Sequence, residues 1–267
     1  MSLDSRMVKV RSTMARDTVR VVAAFAGQRL IPLDVVRAIR LVGAGSSPLT
    51  PASKTVDGRT LRIAPLADLL DGVQLGMWTL GPRSLEALAE AVARRRPRMV
   101  IEFGSGVSTV ALAWALREAL GHSDLPRLVS IEQESTHADR TRVLLASVGL
   151  DDECIIVPAP LDEQIIEGVR TTCYSLPDGW ADALAGRRAE MVVIDGPAGI
   201  DGIRFGTLPL VSSVTEEGAT FILDDALRDG ELDIARRWRL LPYVEVDGIS
   251  LVEHGLLQGR LVHRDSR

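Results

Sequence analysis

The sequence predicts an α/β fold in which a doubly wound, mostly parallel sheet of seven strands carries helices on both faces. From Pro82 onward, short apolar segments alternate with longer segments of helical periodicity, which is typical of successive strand–helix–strand units. Two of the short segments, Met99–Phe103 and Met191–Ile194, are continuous apolar runs, and such runs favour strands that are covered on both faces. The C-terminal segment has the pattern of a hairpin, which adds one antiparallel strand.

Local signals support each element of this fold. Ser84 is expected to cap the first helix, whose apolar positions Leu85, Leu88 and Val92 share one face. Asp247-Gly248 is expected to be the turn of the C-terminal hairpin. In chain order the predicted elements are a helix from Ser84 to about Arg95, strand Met99–Phe103, helix Val107–Leu120, strand Leu128–Glu132, helix Thr136–Val148, strand Cys154–Val157, helix Asp162–Arg170, strand Met191–Asp195, a further helix, strand Thr220–Asp224, helix Ala226–Trp238, and strands Tyr243–Val246 and Ser250–Val252, the last continuing toward His263.

Residues 1–80 are expected to form an N-terminal helical extension, followed by a main domain of residues 81–267. The extension serves as a cap or a dimer element in this interpretation. A membrane-surface helix is the alternative, because arginines interleave with its apolar positions. Its predicted parts are one or two helices over Asp17–Ala44 interrupted near Pro32, a linker at Ser46–Ser53, and a small hairpin over Lys54–Ala64 that turns at Asp57-Gly58.

Composition and charge exclude several classes of protein. The chain has 267 residues, a formal charge of −5 and a pI near 5.5, so it lacks the overall basic charge of proteins that mainly hold nucleic acid. Cys154 and Cys173 are too few for a disulfide framework or a structural zinc site. No stretch reaches the ~18 apolar residues of a membrane span, and no signal-peptide pattern is found, so a cytoplasmic protein is expected.

The first motif with chemical potential is Glu102-Phe103-Gly104-Ser105-Gly106, at the junction of a predicted strand and a predicted helix. Glycines allow the backbone to turn tightly and to approach a ligand, and the helix start offers free N–H groups. Glu102 lies inside the strand, where an acid is rare without a specific partner. We expect it to receive the amino group of a ligand, directly or through water and the loop. The alternative is that it hydrogen-bonds the loop's own backbone.

A second acid, Glu132, ends the next predicted strand. In nucleoside-binding α/β folds a carboxylate at this point accepts hydrogen bonds from both ribose hydroxyls, and the ligand lies outside the carboxyl ends of the strands. Glu132 is therefore expected to bind a ribose. The alternative is a solvated acid at the start of a helix.

Three aspartates follow the fourth and fifth predicted strands: Asp195 after the fourth, and Asp224 with Asp225 after the fifth. Neighbouring parallel strands end at the same edge of a sheet, so these side chains are expected to converge. Three adjacent carboxylates repel one another unless a cation lies among them, and hard oxygen ligands suit Mg²⁺. The aspartates thus predict a Mg²⁺ site. The alternative is that Asp195 shapes a turn and Asp225 caps the following helix.

From about Pro82 to the C-terminus, about two thirds of its length, the chain resembles a class I S-adenosylmethionine-dependent methyltransferase. Glu102–Gly106 resembles the first motif of that family, and Glu132 resembles its second acid. Ser108 stands where many members have a third glycine. The resemblance implies a Rossmann-like methyltransferase fold and S-adenosylmethionine as cofactor. The cofactor-binding residues that it implies are Glu102, Gly104, Ser105, Gly106, Ser108, Glu132, Asp195 and, in the Pro158–Leu161 loop beside adenine, Ala159.

Within that superfamily, the pairing of Asp195 with Asp224-Asp225 resembles the metal-dependent O-methyltransferases of the catechol and macrocin type. This resemblance implies that Asp195, Asp224 and Asp225 hold Mg²⁺. Asp195 and Asp225 are then catalytic residues, because the metal would bind an acceptor hydroxyl and lower its pKa. A lysine that the catechol enzymes place shortly after the strand-four acid has no counterpart, since no lysine lies beyond Lys54.

Other side chains are candidates for the acceptor side of the site. Arg204 and Arg228 could clamp a carboxylate or phosphate of the substrate. The alternative is that they form structural ion pairs, with Asp201, Asp229 or Glu231 as partners. Trp78 and Trp180 could line the acceptor pocket, although a lone tryptophan more often packs in a core. The four histidines fall outside the predicted cleft loops, and we give none a catalytic role.

These features together predict a methyltransferase that uses S-adenosylmethionine and Mg²⁺ to methylate a hydroxyl of a small-molecule acceptor. N-methylation stays open, because an O-methyl product follows only from the metal. An NAD(P)-dependent oxidoreductase shares the glycine loop and Glu132 but leaves Glu102 and the aspartates without a role. A non-catalytic module with the same fold is a third interpretation. No nucleic-acid acceptor is expected, because no base-flipping motif or basic arm is found, and the apolar N-terminal helices are compatible with a homodimer.

Overall fold

The computed structural model describes residues 54–56, 59–61, 63–71, 73, 79–199 and 202–262. Short 3-10 turns lie at Asp151–Glu153, Trp180–Leu184, Ile203–Gly206 and Ser212–Val214. The helices and strands are β1 (Lys54–Val56), β2 (Arg59–Leu61), α1 (Ala64–Leu69), α2 (Pro82–Arg95), β3 (Val100–Phe103), α3 (Val107–Leu120), β4 (Leu128–Glu132), α4 (Ser135–Ser147), β5 (Cys154–Pro158), β6 (Leu161–Ile166), β7 (Val169–Tyr174), β8 (Ala189–Ile194), α5 (Thr207–Val211), β9 (Thr215–Leu223), α6 (Asp229–Trp238), β10 (Val244–Ser250) and β11 (Leu256–Leu261).

Seven strands form one sheet in the order β10-β11-β9-β8-β3-β4-β5. β3 pairs in parallel with both β4 and β8, β4 with β5, and β8 with β9. β11 is antiparallel to both β9 and β10, which confirms the predicted closing antiparallel strand. After β5, at one edge, the chain returns beside β3 as β8. This reversal of strand order opens a crevice between the carboxyl ends of β3 and β8.

Buried apolar side chains form a core on each face of the sheet. One core contains residues of α2 and α3 and extends to Leu61 and Leu66, which precede α2 in the chain. The other contains Phe103, Tyr174 and Trp238. Because side chains alternate along a strand, Glu102 points to the α2–α3 side while its neighbour Phe103 points to the opposite side. No helix within the described ranges combines the length and the apolar character that a membrane crossing requires.

The region before residue 80 is described only in part. β1 and β2 pair as the predicted small antiparallel hairpin. The helices predicted over Asp17–Ala44, the linker Ser46–Ser53 and the Asp57-Gly58 turn lie outside the described residues. The division of the chain at residue 80 stays a prediction.

Helix α2 begins at Pro82, two residues before the predicted cap. Ser84 does not cap it: the carboxylate of Glu253, in the β10–β11 connection, accepts hydrogen bonds from the backbone N–H of Arg83 at 3.2 Å and of Ser84 at 3.0 Å. The Ser84 prediction was wrong because a residue distant in sequence supplies the capping oxygens.

The helix predicted over Asp162–Arg170 is wrong. β6 and β7 form an antiparallel hairpin there, with Ile166 opposite Val169. Glu167 and Gly168 both have positive φ, +50° and +74°, as the two-residue turn of a tight hairpin requires. β-Branched residues on both sides of the turn favour strands, and this preference outweighs the helical spacing of the acids.

Two boundaries near the C-terminus also differ from prediction. Asp247-Gly248 is not a turn but an irregularity inside β10, where the register with β11 shifts between Val246 and Gly248. The strands are joined instead by residues 251–255. Helix α6 begins at Asp229 rather than Ala226, and the N–H groups of Ala226 and Leu227 donate to the carbonyls of Gly255 and His254 in that connection.

Candidate active site

A cavity of about 930 Å³ lies at the crevice between the carboxyl ends of β3 and β8. Residues after β3 and β4 line one part of it, including Gly104, Ser105 and Glu132–Glu134. Residues after β8 and β9 line the other part, together with the start of α2 and the β10–β11 connection. The cavity therefore spans the strand ends where the sequence predicts a ligand.

Most of the predicted site residues come together at this cavity. Those that line it are Gly104, Ser105, Glu132, Asp195, Asp224 and Asp225. Glu102, Gly106, Ser108 and Ala159 are not among its lining residues. Ala159 is fully buried, and its backbone N–H donates to the Glu132 carbonyl at 2.7 Å. Ser108 is also buried, in the first turn of α3.

Glu132 holds the glycine loop in place. Its Oε2 accepts hydrogen bonds from the N–H of Ser105 at 2.7 Å and from the Ser105 hydroxyl at 2.9 Å. Its Oε1 accepts from the N–H of Glu134 at 2.9 Å. Glu132 is therefore not a freely solvated acid. Its carboxylate is oriented by the backbone on both sides and lies at the cavity wall.

Glu102 belongs to β3; its side chain lies beneath the Gly104–Gly106 loop and is fully buried. Its Oε2 accepts hydrogen bonds from the Thr109 hydroxyl at 2.6 Å and the Ser130 hydroxyl at 2.8 Å. The Thr109 oxygen in turn accepts from the Gly106 N–H at 2.9 Å. Glu102 thus supports the loop backbone through Thr109, while contact with a ligand's amino group stays a prediction. Burial raises the pKa of Glu102 to about 7, although these hydroxyls oppose the shift.

This raised pKa makes the stability of the protein depend on pH. A carboxyl with a raised pKa is stabilising in its neutral form, and that contribution declines as pH rises from 4.5 through about 7. Glu102→Gln removes the ionisation, so between pH 4.5 and pH 8 we expect the variant to gain about 3 kcal/mol of unfolding free energy relative to wild type. Urea unfolding of both proteins across this range measures the difference. Parallel pH profiles would contradict it.

The three aspartates converge as predicted, because β8 and β9 are adjacent and parallel. One carboxylate oxygen of each lies within 4.8 Å of those of the other two. Burial and the nearby Asp224 raise the pKa of Asp195. Burial and the nearby Asp225 raise the pKa of Asp224 to about 6. Ionisation of each carboxyl group makes ionisation of its neighbours less favourable. Carboxylates that bind a common cation behave in this way when the cation is absent.

Arg204 and Arg228 are ion-paired within this cluster. Arg204 is buried and lies 3.4 Å from Asp225 and 3.7 Å from Glu231. Arg228 is half exposed and lies 2.9 Å from Asp225. The ion-pair interpretation is confirmed for Glu231, and Asp225 is a partner that the sequence did not indicate. Asp201, another predicted partner, lies outside the described residues.

The donor set at this point fits a divalent metal ion. The Oδ1 atom of Asp224 and the Oε2 atom of Glu231 are buried, and no hydrogen-bond partner for either lies among the described residues. Unpartnered buried carboxylate oxygens are costly unless a cation or another donor reaches them. Two guanidinium groups balance only part of the charge of four ionised carboxylates. Hard oxygen ligands with charge left to balance are what Mg²⁺ prefers.

Gly104 and Gly196 allow the ends of β3 and β8 to touch. Gly104 has φ of +89°, and a Cβ there would lie 2.8 Å from the Gly196 nitrogen. A Cβ on Gly196 would lie 2.9 Å from the Gly104 Cα and 2.3 Å from the Tyr174 hydroxyl. Only glycine fits at this contact without displacing backbone, which explains why the cavity floor is built from glycines.

Tyr174, His137 and His254 line the cavity and were missed in the sequence. Tyr174 is delivered by the β6–β7 hairpin, so a residue predicted to follow a helix lies against the glycine contact instead. The Glu167-Gly168 turn between β-branched residues was the signal that could have located it. No local signal could place the histidines, since His254 reaches the cavity through the β10–β11 connection. Trp180 packs against a core rather than lining the cavity, and Trp78 lies outside the described residues.

No family model and no curated protein matches the sequence. Solved structures, however, share its fold. An O-methyltransferase from Bacillus cereus in complex with S-adenosylhomocysteine is 18% identical, with a TM-score of 0.52, over 74% of this chain and 90% of that chain. A cofactor-bound protein from MTB is 19% identical, with a TM-score of 0.53, over 76% of this chain and 90% of that chain. The O-methyltransferase TomG from Streptomyces achromogenes, in complex with S-adenosylmethionine, is 17% identical, with a TM-score of 0.51, over 75% of this chain and 89% of that chain.

These similarities agree with the mostly parallel seven-stranded sheet of this chain. At such low identity they establish the fold and nothing finer. The chain has the Rossmann-like fold of the class I methyltransferases.

Proposed function

We propose that this protein is an S-adenosylmethionine-dependent methyltransferase. One observation carries the proposal: a single cavity at the β3–β8 crevice joins Gly104, Glu132 and Asp195. Ligands of open α/β sheets bind at such a crevice, with an acid after the second strand on the ribose. The neighbours bound to S-adenosylmethionine or S-adenosylhomocysteine support this choice of ligand.

The residues of the cavity divide the work of holding the cofactor. In this proposal Glu132, whose carboxylate is oriented by the N–H groups of Ser105 and Glu134, accepts hydrogen bonds from ribose hydroxyls. The Gly104–Gly106 loop, which Glu102 supports through Thr109, holds the methionine part together with Asp195 in this proposal. The Pro158–Leu161 loop flanks adenine in this proposal. Bound S-adenosylmethionine supplies an activated methyl group, so the protein's task is alignment of the acceptor.

We include Mg²⁺ in the proposal, held by Asp195, Asp224 and Asp225. The unpartnered Asp224 oxygen and the incomplete charge balance of the cluster support it. A metal at this place would supply Lewis-acid chemistry to an acceptor hydroxyl. The acceptor is then a small molecule with a hydroxyl group, in the part of the cavity between the aspartates and the start of α2. Cytoplasmic location and a homodimer stay predictions.

Calorimetric titration of S-adenosylhomocysteine into chelator-treated protein tests the proposal. One-site binding is expected, and NAD⁺ and NADP⁺ in parallel titrations are expected to give no heat. Nicotinamide binding without S-adenosylhomocysteine binding would establish the oxidoreductase alternative. Binding of neither ligand by folded protein would leave the non-catalytic module.

Asp225→Asn tests the metal separately from the cofactor. Asp225 has φ of +59°, and asparagine tolerates this left-handed conformation better than alanine does. We expect Mg²⁺ affinity to fall by at least about tenfold, because a ligating oxygen loses its charge. The affinity for S-adenosylhomocysteine is expected to stay within about threefold of wild type. Asp233→Asn, an exposed acid on α6, is the control. Unchanged Mg²⁺ heat in Asp225→Asn would remove Asp225 from the metal site.

A further inference from the structure

A buried arginine lies at the centre of the acidic cluster. Arg204 belongs to the 3-10 turn Ile203–Gly206, and 6% of its surface is exposed. Its guanidinium contacts are Nη1 to the Asp224 carbonyl oxygen at 3.1 Å, Nη1 and Nη2 to Asp225 Oδ2 at 3.4 Å each, Nη2 to Asp195 Oδ1 at 3.7 Å, and Nη1 to Glu231 Oε1 at 3.7 Å. One positive charge is thus shared among the carboxylates of Asp195, Asp225 and Glu231, of which Asp195 and Asp225 are proposed metal ligands.

The position of Arg204 is fixed by its neighbours. The Thr207 hydroxyl donates to the Arg204 carbonyl at 2.8 Å. The Trp238 indole N–H donates to the Phe205 carbonyl at 2.9 Å. The turn is thereby tied both to α5 and to the buried end of α6. Because the backbone is held on both sides of Arg204 and its side chain is buried, the guanidinium is a fixed part of the cluster.

The fully ionised cluster would nevertheless carry more negative than positive charge. When Asp195, Asp224, Asp225 and Glu231 are all ionised, Arg204 and the half-exposed Arg228 balance two of the four charges. Within the described part of the chain, Asp224 Oδ1 and Glu231 Oε2 have no hydrogen-bond partner, and neither guanidinium contacts them. Arg204 therefore neutralises part of the negative charge of the cluster, and a divalent ion would neutralise the remainder.

From this geometry we infer that Arg204 is the resident counter-cation of the acidic cluster and that it sets, by lowering it, the affinity of the site for a divalent metal. The inference rests on the proposed metal site. A metal ion on these oxygens lies within a few ångströms of the guanidinium, and like charges at that separation repel strongly where solvent screening is weak. The cluster keeps its shape without metal, and the metal binds reversibly.

Mn²⁺ titration without any adenosyl ligand tests this inference. Calorimetry on wild type, Arg204→Met and Arg204→Lys measures affinity rather than activity. Removing the charge in Arg204→Met is expected to tighten Mn²⁺ binding by at least about tenfold. Arg204→Lys keeps the charge and is expected to stay within about threefold of wild type. Arg236→Met, which removes an exposed arginine of α6 that pairs with Asp233, is the matched control, and a change below about threefold is expected.

Three results would overturn the inference. Weaker or equal Mn²⁺ binding by Arg204→Met would mean that the arginine orients the ligands rather than competing with the metal. Absence of Mn²⁺ binding in both wild type and Arg204→Met would also overturn the inference, because there would be no metal site for Arg204 to affect. If Arg204→Met is unfolded without metal, Mn²⁺ should restore its circular-dichroism signal, and failure to restore it would also count against us. Binding of S-adenosylhomocysteine is measured separately, so the proposed function can stand or fall independently.

Discussion

Arg204→Met is expected to lower the free energy of unfolding by about 3–5 kcal/mol at pH 8, because it strips buried carboxylates of their internal cation. Arg204 is the one buried guanidinium that contacts Asp195, Asp225 and Glu231 in the described part of the chain. Methionine fills much of the same space, so packing is largely retained. The decrease in unfolding free energy therefore reports the loss of charge compensation and not the creation of a cavity in the core.

The pH dependence of this loss identifies its cause. Burial and mutual repulsion raise the pKa of Asp195 and raise that of Asp224 to about 6. As pH falls through about 6, Asp224 becomes neutral, and Asp195, whose pKa is also raised, has less need of a counter-cation. The destabilisation should therefore be smaller at pH 5 than at pH 8 and should grow as pH rises through about 6. Urea unfolding at pH 5 and pH 8 is the measurement. Arg228→Met, a half-exposed pair, is expected to cost no more than about 1 kcal/mol. Equal losses of Arg204→Met at both pH values would point to packing instead.

Gly196→Ala is expected to destabilise the protein by about 1–3 kcal/mol, the usual cost of forcing an extra carbon into a packed site. The new Cβ meets the Gly104 backbone at 2.9 Å and the Tyr174 hydroxyl at 2.3 Å. The Tyr174 side chain can move away from the new Cβ. The backbone of the loop after β3 can move away only if the loop leaves its position over the crevice. The ends of β3 and β8 must then separate.

The same separation should weaken cofactor binding. In the variant, ligand binding must return the loop to its original position and so restore the steric strain that the shift had relieved. This strain opposes binding, and we expect the affinity for S-adenosylhomocysteine to fall by about tenfold to hundredfold, at 1.4 kcal/mol for each factor of ten. Calorimetry measures the affinity and urea unfolding the stability. Gly106→Ala is the control for stability, since a Cβ there meets nothing within 4 Å. Wild-type affinity in a destabilised Gly196→Ala protein would show that this contact supports the fold and not the ligand.

The order of strands and helices was predictable because each buried strand has a local signature. Val100–Phe103 is apolar apart from Glu102, and Leu128–Glu132 is apolar apart from Ser130 and the terminal Glu132. Val107–Leu120 follows glycines with a mostly apolar sequence of helix length. The prediction failed over Asp162–Arg170, where short-range spacing suits either structure and long-range packing of the hairpin decides between them.

Within the site, the acids at strand ends were predictable from topology alone. Asp195 and Asp224 had to meet once β8 and β9 were recognised as parallel neighbours. Arg204 was visible as a candidate and Glu231 as a partner of it, but Asp195 and Asp225 were not visible as partners. Its guanidinium reaches Asp225 from a turn that sequence patterns do not position, and Glu253 reaches the start of α2 across 169 residues.

The amino-acid sequence alone thus determined the fold class, the edge of the sheet that carries the site, and the acids that line it, because hydrophobic periodicity and strand ends are local properties of the chain. Tertiary packing decided the rest: that Glu102 supports the glycine loop from below, that Tyr174 and His254 reach the cavity, and that a buried arginine already shares the charge of the aspartates. These features depend on contacts between segments far apart in the chain, whose energies no local pattern encodes.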